Sequence, residues 1–221
     1  MPGFVRNNGL SLVLFFLFIV TLLVGQLLTG HREWNEERAK VGKPPEEVSA
    51  YFTSDHFLEA TMENWESEFL QMGLYVWLTV FLFQRGSAES KDPEATENVD
   101  RDPRKSRHKK EAPWPVRRGG VVLKVYENSL ALTFLLLFLG SMLLHAKGGV
   151  GELNEERIGE GQAPLSYLDY FGTSRFWFES LQNWQSEFLA IFSMVVLSIW
   201  LRQRGSPESK PVDAPHGETG A

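Results

Sequence analysis

The chain has 221 residues, a net charge of −6 and no cysteine, which excludes disulfide scaffolds, thiolate metal sites and cysteine nucleophiles. Its 43% hydrophobic content is gathered into four blocks instead of being spread as a soluble core requires. That distribution points to an all-α membrane protein of four transmembrane helices.

The first block, Leu10 to Leu28, has 19 residues without a charge, close to the ~20 needed to cross the hydrocarbon of a bilayer. A secretory signal is the competing reading, but no Ala-x-Ala-like site follows, and a related block recurs in mid-chain. The next stretch is acidic: Thr29 to Glu68 holds 4 Lys/Arg against 10 Asp/Glu. Gly42 with Pro44 and Pro45 breaks it, and a second helix is expected to start near Ser54 or Asp55, where a short polar side chain accepts the first free backbone N–H groups.

That helix is expected to run from Asp55 to Gln84, 30 residues or about 45 Å, with only its later part in the membrane. Its uncharged run, Phe69 to Gln84, has 16 residues, so the span is placed at about 66–84. Leu58, Met62, Trp65, Phe69, Met72 and Val76 step by 4, 3, 4, 3, 4 and predict an apolar packing seam. Trp65 stands one turn before the uncharged run, where an outer aromatic belt lies.

From Arg85 to Glu127 the balance turns basic, 11 Lys/Arg against 8 Asp/Glu, and within Arg101 to Arg118 it is 8 against 2. The linker at 92–118 is rich in charge and proline, lacks apolar periodicity and reads as disordered. On a cytoplasmic face its cations attract anionic lipid headgroups; no folded recognition module points to nucleic acid. Ser129 to Ala146 then supplies 18 uncharged residues and the third span, at about 129–146. Lys147 to Glu187 is acidic again, 3 Lys/Arg against 7 Asp/Glu, and a last uncharged run, Phe188 to Leu201, places the fourth span at about 185–201. The seam recurs as Trp177, Leu181, Trp184, Phe188, Ile191 and Val195. The basic linker and both termini are thus expected in the cytoplasm and the two acidic loops outside.

The second half repeats the first. Asn35-Glu-Glu-Arg38 matches Asn154-Glu-Glu-Arg157, Asn64-Trp-Glu-Ser-Glu-Phe69 matches Asn183-Trp-Gln-Ser-Glu-Phe188, and Gln84-Arg-Gly-Ser-Ala-Glu-Ser-Lys91 matches Gln203-Arg-Gly-Ser-Pro-Glu-Ser-Lys210, all at an offset of 119. Across Glu33 to Lys91, 26 of 59 positions are identical. Each copy contains two spans, so the architecture is two parallel-repeat helical hairpins, 1–91 and 119–210, with a disordered tail at 211–221.

The polar face carried by Asn64, Ser67 and Glu68, and again by Asn183, Ser186 and Glu187, is the candidate site, because three- and four-residue spacings share one helix face. A carboxylate at the edge of the hydrocarbon is costly unless it meets a partner or water. Arg38 and Arg157 are candidates to pin the loops by pairing with Glu68 and Glu187. Glu36, Glu37, Glu46 and Glu47 lack the spacing of a metal loop, and neither His31, His56, His108 nor His145 has a companion that makes a ligand set. No nucleophile triad, nucleotide loop or zinc-protease pattern occurs, so no catalytic residue, metal or cofactor is assigned.

The repeated Asn-Glu-Glu-Arg and Asn-Trp-x-Ser-Glu-Phe elements resemble a family of small bacterial membrane proteins catalogued only as a domain of unknown function. The resemblance implies a bacterial inner-membrane location and supplies no activity. The function expected is that of a non-enzymatic scaffold or interaction protein, with a homo-oligomer as one form. The alternative is a small cation or proton pathway along the repeated Asn/Ser/Glu face.

Overall fold

Leucine, phenylalanine and valine fill the N-terminal block without proline or charge, and they wind into one continuous helix, α1 (Gly3–Lys40), in the computed structural model, which describes residues 3–220. There follow α2 (Val48–Phe52), α3 (Asp55–Leu78), α4 (Trp114–Arg118), α5 (Gly120–Glu127), α6 (Ser129–Gly159), α7 (Tyr167–Tyr170) and α8 (Ser174–Leu197). Among the described residues there is no strand, and the protein is all-α.

Two of these helices, α1 and α6, are long and apolar enough to cross a membrane. The expected spans at 66–84 and 185–201 are helical only as far as Leu78 and Leu197, so α3 has 24 residues, about 36 Å, instead of 30. The reason is local. Thr79 turns its hydroxyl back onto the Tyr75 and Val76 carbonyls, Ser198 does so onto Val195, and the Ser90 and Ser209 hydroxyls take the Gln84 and Gln203 N–H groups that a continuing helix needs.

Contacts divide the chain into two compact units, Met1–Met62 with Leu143–Phe176 and Glu63–Met142 with Trp177–Ala221.

In the first unit several of the matching sequence segments make matching backbone bonds. Gly42 and Gly161, both at φ 74, end α1 and α6 with the same pair of backbone bonds, from Lys43 to the Arg38 carbonyl and from Gln162 to the Arg157 carbonyl. Ser54 accepts from Phe57 N–H at 3.1 Å and Thr173 from Phe176 N–H at 3.3 Å, which starts α3 and α8 where the sequence places them. Tyr51 and Tyr170 are buried beneath, on Gly30 and Gly149. Gly148 brings α6 so near α3 that a Cβ there would stand 2.5 Å from the Glu59 nitrogen. In α1 a π segment at Thr21–Leu27 contains Gln26, whose amide donates to the buried Thr61 hydroxyl at 2.8 Å.

The second unit holds the later half of α3, the first part of α6 and most of α8. Gly73 lets α3 approach α6: a Cβ on it would lie 3.1 Å from that of Phe134. The Phe69 and Phe134 rings meet at 6.4 Å, and Phe138 stands edge-on to Trp184 at 5.9 Å. The predicted apolar seam packs only in part, at Phe69 and Trp184 among others. Met72, Trp177, Leu181 and Phe188 are exposed, whereas α3 buries Glu59, Thr61, Glu66, Ser67 and Gln71. Here α3 hides polar groups and leaves Met72, Trp77 and Leu78 exposed, together with Asn64 and Glu68.

Linker residues bond to near neighbours, and tail residues bond back to the Gly86–Ser87 turn. Residues 92–113 form turns and two short 3₁₀ segments, Asn98–Asp100 and Pro103–Ser106. Lys91 pairs with Asp100 at 2.7 Å. Near the C-terminus the Gly220 N–H donates to the Ser87 carbonyl at 2.9 Å.

Candidate functional site

In the second unit, α3 and α8 meet through polar side chains. The Asn183 amide donates to the Glu63 carboxylate, the Trp184 indole N–H to the Glu66 carboxylate at 3.0 Å, and the Gln71 amide to the Glu187 backbone carbonyl at 2.8 Å. Glu66 is fully buried, at 0% exposure. An indole only donates and a carboxylate oxygen accepts, so the bond satisfies part of a buried polar group. Among these three bonds no general base faces a nucleophile; the arrangement can fasten two helices or offer carboxylate oxygens to a cation or proton.

Of the predicted polar face, Asn183 belongs to this network, and Glu187 enters it through its backbone. Ser67 is buried but donates to the Asn64 carbonyl at 2.8 Å, and Ser186 donates to the Asn183 carbonyl at 2.8 Å in the same manner. Asn64, Glu68 and Ser186 are exposed, while Glu187 is half-buried. Glu68 and Glu187 stand within electrostatic reach of one another, as like charges that repel.

Glu63, Glu66 and Gln71 escape a reading by repetition because the second copy has Gln182, Gln185 and Ala190 at the matching positions. Glu63 and Glu66, three residues apart, share a helix face, and that spacing is the signal that finds these two.

The repeated Asn-Glu-Glu-Arg element has a structural role in the first unit. Asn35 accepts from the Glu46 N–H at 2.9 Å and donates to its carbonyl at 3.0 Å; Asn154 does the same to Leu165, at 2.7 and 3.0 Å. One amide thus satisfies both backbone groups of a loop residue 11 positions on. Arg38 donates to the Pro44 carbonyl at 3.1 Å and pairs with Glu46 at 2.5 Å, and Arg157 donates to the Ala163 carbonyl at 2.8 Å. Both arginines pin loops, but their own ones, to carbonyls six residues on, instead of to Glu68 and Glu187. The glycine-capped turn brings those carbonyls within reach of the side chain.

His145, without a companion in the sequence, is fully buried against the Phe176 ring at 5.1 Å, and the Glu59 carboxylate lies within 4.8 Å of its imidazole. Asp55 carries a carboxyl raised above its ordinary range by burial, with Lys147 acting against that shift.

The third repeated element folds as the same loop twice. Gly86 and Gly205 turn at φ 85 and 84, and Ser87 and Ser206 accept the Glu89 and Glu208 N–H groups at 3.1 and 3.2 Å. Lys210, 1% exposed, closes the second loop on the tail, donating to the carbonyls of Gly86, Pro215, His216 and Glu218. Burial holds its ammonium below the ordinary lysine range, with Arg202 adding to that effect.

Fold and site together define an all-α protein with two helices apt to cross a membrane, whose recurring polar residues hold loops and helices in place. All of it, residues 1–221, matches the family model described as "Domain of unknown function (DUF6766)", and the chain belongs to that family. No curated protein and no solved structure matches it.

Proposed function

We propose that the chain is a four-span integral membrane protein of the bacterial inner membrane, with both termini cytoplasmic, that acts as a non-enzymatic scaffold or interaction protein. The observation that carries this reading is the use made of the repeated motifs. Asn35 and Asn154, Arg38 and Arg157, and the serines of both Gln-Arg-Gly-Ser loops are engaged with neighbouring backbone, so what the duplication preserves is a shape. The exposed apolar length of α1, with Leu10 at 74% and Phe16 at 65%, supports a lipid surrounding. The inward polar stripe of α3 supports the crossing of the shorter helices in company with the longer ones. A homo-oligomer is one form such a scaffold takes.

Single cysteines in this cysteine-free chain test the topology. Lys43→Cys and Gln162→Cys label with an impermeant maleimide in intact cells, and Lys105→Cys and Asp213→Cys only after permeabilisation. If only α1 and α6 cross, position 105 labels together with 43, while 162 and 213 do not, and the four-span reading fails.

The buried Glu66 favours a second reading, a small cation or proton pathway past Glu63 and Glu66. Reconstituted liposomes separate the two. A scaffold leaves proton and cation leak at the level of empty vesicles, whereas a pathway raises it and loses it in Glu66→Gln.

A further inference from the structure

The second unit has a lateral groove of about 530 Å³ between the later half of α3, α5 and the first half of α6. That is within the ~300–1,000 Å³ range of small-molecule sites. Phe69, Leu74, Trp77, Val125, Leu132 and Phe138 are among its walls, and its polar groups are Lys124 and Asn128. We propose that this groove binds one anionic phospholipid, an acyl chain lying along the apolar walls and the phosphate at Lys124. The proposal rests on the membrane reading above and adds to it a defined ligand.

Three observations choose that occupant. The first is charge. Asn128 commits its amide to the Lys124 carbonyl at 2.9 Å, and Lys124 itself, exposed, forms no ion pair among the described residues. Its ammonium is therefore available to an anion, and α4 adds Arg117 and Arg118 close by in the chain.

The second is depth. From Ser129, where α6 begins, to Phe138 at the far wall is nine residues, about 14 Å of helix. One leaflet of a ~30 Å hydrocarbon core has that thickness. In the four-span topology α3 returns to the cytoplasmic side as α6 leaves it, so Trp77 comes to the Lys124 end, where indoles favour the interface.

The third is the shape of α5. Leu123 anchors the helix by burial, while Val121 and Val125 stand exposed at 78% and 54% and both line the groove. Lipid tails cover these valines where water otherwise would. A second copy of the chain is the poorer fit, because a twofold contact sets Lys124 and its neighbouring arginines against their own like charges.

The test uses the full chain, purified in mild detergent and incubated with equal amounts of 16-carbon phosphatidylglycerol and phosphatidylcholine, then examined by native mass spectrometry. We expect one retained phosphatidylglycerol per chain, preferred over phosphatidylcholine at least fivefold. Lys124→Gln, an exposed substitution, lowers that preference about fivefold. Ala131→Trp fills the groove wall and lowers retention of either lipid at least tenfold, whereas Leu136→Trp, at an exposed position outside the groove, leaves it unchanged. Equal retention of the two lipids, an Ala131→Trp variant that binds like the wild type, or a lipid-free dimer each overturns the proposal. Failure of the membrane reading shows separately in the cysteine-labelling pattern: four-span labelling without lipid retention overturns the groove alone.

Discussion

The Tyr51 hydroxyl occupies the space that a side chain at Gly30 would need, and 119 residues further on Tyr170 stands against Gly149 in the same way. Both tyrosines are buried, at 1% and 0% exposure, so neither phenol has open space to retreat into. Gly30→Ala is expected to destabilise the first unit by about 1–3 kcal/mol through overpacking. Tyr51→Phe removes the obstructing oxygen together with its bond to His56 Nδ1 at 3.2 Å. The double variant Gly30→Ala/Tyr51→Phe should therefore melt higher than the two single losses predict when added. Strict additivity in thermal unfolding would show that the hydroxyl does not set the limit.

The same phenol predicts a pH dependence. Burial, and after it the charges of Glu152 and Glu33, push Tyr51 up to about 12 from an ordinary value near 10. The unfolded chain releases this proton first as pH rises, so the native state holds more protons between those values and is progressively disfavoured. The stability tied to the neutral phenol is full below pH 10 and lost as pH climbs through 12. Denaturant unfolding of the wild type at pH 9 and 11.5 should show this loss, and Tyr51→Phe should lessen it. An equal loss in the variant would assign the effect to other groups.

Asn35 and Asn154 predict what happens when a loop loses its staple. Replacing Asn154 by Ala leaves the Leu165 N–H and C=O without the amide that binds both, a cost of about 1–3 kcal/mol for a poorly hydrated pair. Limited proteolysis should cut between 159 and 166 faster in Asn154→Ala than in the wild type, with Asn154→Asp intermediate because it retains the acceptor and loses the donor. Unchanged cleavage in both variants would remove the amide from the account of loop order.

The beginnings of α3 and α8 are legible in the sequence because Ser54 and Thr173 are residues that cap helices by themselves, and both do so here. Their ends are not. Val80 to Phe83 continues the apolar run past Leu78, and only the backbone reveals that Thr79 and Ser90 have taken over the bonds of the next turn. The candidate face is half legible for a similar reason. Identity between copies singles out Asn183 and Ser67, but the group buried most completely on α3 is Glu66, opposite a glutamine in the second copy. Identity between the matching segments marks residues that hold backbone, such as Asn35 and Asn154. The face where α3 meets α8 is asymmetric: Glu63 and Glu66 stand where the later segment has Gln182 and Gln185.

That asymmetry sets the last prediction. Glu66 is wholly buried and takes the Trp184 indole N–H, whereas Glu68, two residues on and therefore on another side of the helix, is exposed. In the cysteine-free chain, Glu68→Cys should react readily with a small maleimide in detergent, and Glu66→Cys should react at least tenfold more slowly until the protein is unfolded. Trp184→Phe keeps an aromatic ring, a smaller one, and withdraws this donor from a buried carboxylate, at a cost of about 1–3 kcal/mol. If the loss comes from the carboxyl left without this donor, the further change Glu66→Gln recovers part of it, because an amide brings donors of its own to the site. Equal labelling rates at 66 and 68, or no recovery in the double variant, would mean that Glu66 meets water in solution and does not fasten α8 to α3.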